Sequence, residues 1–264
     1  RSCAAPTVVG CGRVRLAGGT YAMGDARAYD YGNSDGYTAQ PTQRMISVGA
    51  FTLDRFEVSV ARFRRYVDAM GAPTGLTARA MDGQYDQCNW TPTAGDREAH
   101  PINCVDWSVA TAFCAWDVAG GRLPSEAEWE FAARGAAQRT WPWGGAESDA
   151  PAWVCWNRSV PTELGTCAVD DTAYAMGATP EGITHLIGNV WEWTGDWYQR
   201  YARATCWGDR PQTSPLCGDP SLSQRTIRGG AWNITFSAAT QTGARDRAEP
   251  THRARSIGFR CASP

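Results

Sequence analysis

Apolar positions recur at helical spacing in three short stretches of the chain and alternate in a fourth. In "SVARFRRYVDAMG", Val60, Phe63, Val67 and Met70 share one face, Ser59 stands where an N-cap belongs, and Gly71 can stop the helix. "SVATAFCAWDVAGG" has a rougher stripe of Val109, Phe113 and Trp116, starting at Ser108 and ending at Gly120 and Gly121. "PSEAEWEFAARG" sets Glu128 three residues after Ser125, a capping box behind Pro124; Ala127, Phe131 and Ala132 point inward and Gly135 closes it. "RMISVGAFTLDRFEV" alternates as half-buried strands do. From about Gly135 onward Trp, Gly, Pro and turn dipeptides dominate, so the second half reads as short strands joined by long loops, with no helix. No internal repeat or low-complexity linker divides the chain. The pattern predicts a single α+β domain over residues 13–264, after a processed or linker segment at residues 1–12, "RSCAAPTVVGCG".

Composition narrows the class. At 264 residues with 43% apolar content, 28 Gly, 15 Pro and 13 Trp, the chain is globular and loop-rich, with length enough for a sizeable core. A net charge of -2 argues against a nucleic-acid partner or a polybasic membrane surface. Every basic residue is arginine, which fits GC-rich codon usage and removes Schiff-base or lysine general-base chemistry. No run approaches the roughly 18 apolar residues that would span a bilayer.

The ten cysteines are even in number and none forms a C-x-x-C pair. The three histidines, His100, His185 and His252, are far apart, so a zinc site is a poor account. A disulfide framework fits better and implies an oxidising compartment: secreted, periplasmic or cell-surface. Counting leaves the connectivity open. Near neighbours flanking polar loops suggest Cys3–Cys11, Cys88–Cys104, Cys155–Cys167 and Cys206–Cys217, which leaves Cys114 for Cys261. That last closure would constrain the unfolded chain most, by about 5 kcal/mol in the chain-entropy view.

Candidate chemistry is sparse. "GNSDG" (32–36) has the spacing of a nucleophile elbow, but its polar setting lacks the strand and helix that would strain Ser34, so it reads as a turn. His100, before Pro101, reads as structural. Glu126, Glu128, Glu130, Glu192 and Asp196 offer paired carboxylates, yet three share one short helix where Glu128 serves a cap. The Trp residues of "VWEW" read as packing, with indole N–H groups bonded to carbonyls.

Eight ordered blocks carry a resemblance: "GGTYAMG", "FTLDRFEVSVARFRRYV", "HPINCVDWSVATAFCAW", "GGRLPSEAEWEFAARG", "WPWGG", "GNVWEWTGDWY", "RTIRGGAWN" and "RSIGFRCA". Together they resemble the formylglycine-generating enzyme family, or sulfatase-modifying-factor domain, from about Gly18 to Ala262. The resemblance implies a loop-rich, C-type-lectin-like α+β fold with few helices, short strands and several disulfides. It also places a buried disulfide at Cys114 and Cys261, while Ala133 stands where one partner of the family's second bridge would be. Oxidising members resemble copper-dependent oxidases that use two cysteines just after the paired glycines. Here those positions fall near Ile234 or Thr235 and near Ala239 or Thr240, so copper is not expected. The iron-binding H-x-x-x-H-x-E pattern of the family's sulfoxide synthases is also missing. Calcium, often bound around "GNVWEW" in the family, would here take the Gly188 and Val190 carbonyls and the Glu192 carboxylate, with His185 in place of the usual Asn or Asp. A second such site would draw on Asp170 or Asp171.

Two functions remain in view. The first is a binding or accessory module, expected as a monomer, taking a protein, peptide or glycan through Trp232, Asn233, Thr235, Phe236, Arg245 and Arg247, although plain loop packing accounts for these residues equally well. The second is an oxidoreductase of siderophore- or peptide-maturation type with different chemistry in the same cleft. No activated nucleophile–base pair supports it.

Overall fold

Helix caps set the limits of the three predicted helices. The computed structural model describes residues 1–4, 7–25, 28, 30, 44–78, 87–144, 150–158, 165–201, 204–207, 212–235 and 241–264. Helix α1 (Val60–Met70) starts on Ser59, whose hydroxyl accepts the Arg62 N–H, and stops at Gly71 with φ 84°. Helix α2 (Trp107–Asp117) starts one residue earlier than predicted. Its N-cap is Asp106, which accepts from the Val109 N–H at 3.0 Å and from the Ser108 hydroxyl at 2.6 Å. Beyond α2, Gly121 turns back so tightly that a Cβ there would lie 2.0 Å from the Cys114 carbonyl oxygen. Helix α3 (Glu126–Arg134) carries the predicted capping box. All nine of its residues are buried, not only the three expected inward.

The alternating run splits at Gly49 into β3 (Arg44–Val48) and β4 (Phe51–Asp54). Strand β4 pairs antiparallel with β1 (Arg13–Leu16) and β10 (Ala262–Ser263). Strand β3 pairs with β2 (Gly19–Met23) and, in parallel, with β6 (Gln212–Thr213). The third sheet has the order β8-β7-β5-β9, formed by Arg245–Ala248, Arg225–Arg228, Trp191–Trp197 and Ile257–Gly258. Short helices do occur after Gly135, contrary to the expectation: α4 (Ala150–Trp153), a 3-10 turn at Thr172–Gly177 and α5 (Ala204–Trp207). Each is too short to leave a periodic signal.

Period-two alternation gives the third sheet two different faces. Trp191, Trp193 and Ile227 join the core of α1 and α2, where Phe63 and Phe113 stack at 5.8 Å. Glu192, Thr194, Asp196 and Arg228 are buried within the same sheet, and the first and last of these meet side chains of α3. A second apolar core gathers Trp129 and Phe131 of α3 with Tyr21, Ile46, Phe51 and Leu53.

All ten cysteines pair as the sequence spacing suggested: Cys3–Cys11, Cys88–Cys104, Cys114–Cys261, Cys155–Cys167 and Cys206–Cys217. Described residues of the first twelve are bonded to the rest of the fold. Ser2 is buried, its hydroxyl accepts from Arg62 Nε at 3.0 Å, and the Val9 carbonyl accepts from the Ser59 hydroxyl at 2.6 Å. Both bonds reach the start of α1. No helix among the described residues is long and apolar enough to cross a membrane.

Candidate functional site

The turn after the paired glycines rests on a scaffold of backbone hydrogen bonds. Gly229 (φ 99°) leads into it; a Cβ at that position would lie 2.9 Å from the Leu186 carbonyl oxygen and 3.1 Å from the Trp129 ring, so glycine is required. Asn189, at φ 59°, ties four pieces together. Its N–H donates to the Cys155 carbonyl at 2.8 Å and its carbonyl accepts from the Trp232 N–H at 2.9 Å. Its Oδ1 accepts from the Cys167 N–H at 2.9 Å and its Nδ2 donates to Glu57 at 2.5 Å. The Trp232 and Ile234 carbonyls accept from the Arg158 and Asn157 N–H groups at 2.8 and 2.9 Å. The Cys155–Cys167 disulfide and the turn are thus locked to one another.

Of the six predicted ligand contacts, three stay together. Trp232 is fully buried against Cys155 and Cys167, with its indole N–H donating to the Arg255 carbonyl at 3.3 Å, so it is a support and not a contact face. Asn233 is half-buried and its buried Oδ1 has no hydrogen-bond partner among the described residues. Thr235 is exposed. Phe236 lies outside the described residues. Arg245 is a correction: it is fully buried on β8, bonded to Glu126 at 2.8 Å and stacked over Tyr201 at 4.1 Å. An arginine in a polar stretch looks exposed, but here its carboxylate partner lies on another element. Arg247, half-buried on the same strand, has its guanidinium 5.1 Å from the Tyr198 ring.

The motif carboxylates are all committed internally. Glu126 holds Arg228 at 3.1 Å and Arg245 at 2.8 Å, and accepts from the Tyr201 hydroxyl at 2.8 Å. Glu130 holds Arg228 at 2.6 Å and Arg134 at 3.1 Å. Glu128 accepts from both Arg122 Nη atoms at 2.6 Å. Asp196 accepts from the Glu126 and Cys217 N–H groups at 2.6 and 2.7 Å, while burial and then Glu126 push its pKa up to about 7. Burial, with the Glu192 charge adding to it, also holds the Glu57 carboxyl well above the usual range. None of these groups faces an open cleft as a free acid–base pair.

The Glu192 carboxylate, the one charged donor expected for calcium, is already engaged. Both Glu192 oxygens are taken, one by Arg260 Nη2 at 2.7 Å, the other by Arg260 Nε and the Trp129 indole, each at 2.8 Å. A calcium ion would need those oxygens and would face the guanidinium cation. His185 is buried, and burial followed by the Arg260 charge lowers its pKa to about 4. Asp171 caps the Thr172–Gly177 turn through the Ala173 N–H at 2.9 Å. Among the described residues, no group of three or more His, Cys, Asp or Glu is set to hold a metal. The "GNSDG" stretch lies outside the described residues. His100 shares a 2.9 Å hydrogen bond with the Thr166 hydroxyl, a structural role. Sequence reasoning missed Asn189 and Glu57 as the organisers of the turn. The signal available was the Gly-Asn pair, a combination suited to left-handed backbone.

Residues 5–264 match the family described as the Sulfatase-modifying factor enzyme 1-like domain, and the chain belongs to that family. It is 32% identical to a formylglycine-generating enzyme of Streptomyces coelicolor, over 96% of this chain and 89% of that one. It is 28% identical to a Bos taurus protein named Inactive C-alpha-formylglycine-generating enzyme 2, over 95% of this chain and 87% of the relative. The solved structure of PvdO from Pseudomonas aeruginosa superposes with a TM-score of 0.69 at 23% identity, over 95% of this chain and 93% of the other, and so shares the fold. The loop-rich, lectin-like α+β architecture is the one the sequence predicted.

Proposed function

We propose that this member of the sulfatase-modifying-factor family is a binding or accessory module of the extracytoplasmic space, not a thiolate–copper oxidase. One observation carries the reading: all ten cysteines are closed into five disulfides, so the protein holds no free thiol. Copper(I) needs soft ligands, and the turn after Gly230 supplies an amide, an aliphatic side chain and a hydroxyl at Asn233, Ile234 and Thr235. Relatives named as active and as inactive lie at similar identity, 32% and 28%, so similarity alone does not choose between them. The exposed Thr235 and half-buried Asn233, on a turn braced by Cys155–Cys167, support recognition of a peptide, protein or glycan by a monomer.

The test combines metal analysis of native protein, oxygen uptake with a cysteine-containing peptide, and a peptide and glycan array. The expected result is no stoichiometric copper or iron, no oxygen uptake, and an array ligand whose binding falls in Asn233→Ala and Thr235→Ala. Stoichiometric copper or iron with oxygen consumption would replace this reading with the oxidoreductase.

A further inference from the structure

A cavity of about 510 Å³ opens beside the bulged end of β5, away from the turn after the glycines. Its size falls in the roughly 300–1,000 Å³ range of small-molecule sites. Trp107, Trp197, Leu123 and Leu216 supply apolar wall, and Arg225 lines it from β7. The Arg225 guanidinium is held between two indoles, 3.8 Å from the Trp107 ring centre and 3.5 Å from that of Trp197. This sandwich fixes the plane of the fork.

The hydrogen bonding of Arg225 is incomplete. Nη1 donates to the Gly195 carbonyl at 2.8 Å, while Nε is buried without an acceptor among the described residues. No carboxylate lies within ion-pair distance of it among the described residues. Burial, countered by Asp196, lowers its pKa to about 10, as for a cation with no close counter-charge. The other charges lining the cavity cancel: Arg122 grips Glu128 through two 2.6 Å bonds. What remains is one oriented guanidinium whose Nη2 has no hydrogen-bond partner among the described residues, set in aromatic and aliphatic walls. A carboxylate supplies the charge-assisted acceptor that such a guanidinium lacks, and an apolar body would fill the rest.

We propose that this cavity binds a small carboxylate with an apolar body, with Arg225 as the anion partner and Trp107 and Trp197 as walls. The site is independent of the turn after the glycines and stands whether or not that turn binds a ligand.

Isothermal titration of the intact chain with phenylacetate, hexanoate and the neutral phenylacetamide tests it. Saturable binding of a carboxylate is expected, with phenylacetamide weaker by at least about tenfold and Arg225→Gln weakening the carboxylate by a similar factor. If Arg225→Gln fails to fold, Leu216→Trp decides. Leu216 is 59% exposed, so the larger ring is tolerated there while it blocks the cavity. Failure of both carboxylates to saturate up to about 10 mM, equal binding of the amide, or unchanged affinity in Leu216→Trp would each overturn the proposal.

Discussion

His185 shows how a single position sets a pH response. It is buried at φ 52°, beside Arg260, and its pKa is lowered to about 4. The unfolded chain binds that proton near 6.5, so stability is lost as pH falls from about 6.5 to 4. Asp196 and Asp246 act with the opposite sign. Burial raises their pKa values to about 7 and about 6, so the folded state holds their protons more tightly and stability falls as pH rises from about 4 through that window. The wild-type curve is therefore a sum of opposed slopes, and a variant is needed to expose one of them. Asn tolerates left-handed backbone, so His185→Asn removes the titration with little strain. Thermal melts at pH 4.5 and 7 should show the variant gaining on wild type at the lower pH, by up to about 3 kcal/mol at full protonation. A difference independent of pH would remove His185 from this role.

At the scale of elements, α3 joins the third sheet through charge. Glu126 and Glu130 reach Arg228 and Arg245 with all four side chains fully buried. Removing one partner strands the other, so Glu126→Gln should cost about 3–5 kcal/mol in denaturant unfolding. Ser125→Ala, which opens the capping box of the same helix, should cost only about 1 kcal/mol. The contrast also explains what was legible in the sequence. Caps are local, so the ends of α1 and α3 could be read directly from Ser59, Gly71, Ser125 and Gly135. At α2, Asp106 and Ser108 both suit a cap, and only the bond to the Val109 N–H chooses between them. Arg245 looked exposed because its partner Glu126 lies 119 residues away. Partners remote in sequence also hid the buried face of α3 and the role of Asn189, whose side chain bridges Glu57, 132 residues away, and Cys167. Of the candidate site, the cysteine-free turn was legible; which of its side chains face outward was not.

For the whole molecule, loops join short strands in three sheets, and covalent closure stands in for long regular elements. Four of the bridges close local loops with sequence separations of 8 to 16. The fifth, Cys114–Cys261, spans 147 residues and joins α2 to the residue before β10. Loop-closure entropy grows with the logarithm of the enclosed length, so this bridge restricts the unfolded chain more than any of the others. It is also buried, with both sulfurs in the core of α1 and α2, so replacing both cysteines by alanine adds a packing loss to the entropic one. Cys114→Ala with Cys261→Ala should therefore lower stability by about 5 kcal/mol or more, against about 2–3 kcal/mol for Cys3→Ala with Cys11→Ala. Chemical denaturation of the two double variants under non-reducing conditions checks the order. Equal losses would mean that native packing around each bridge, and not chain restriction, sets its worth.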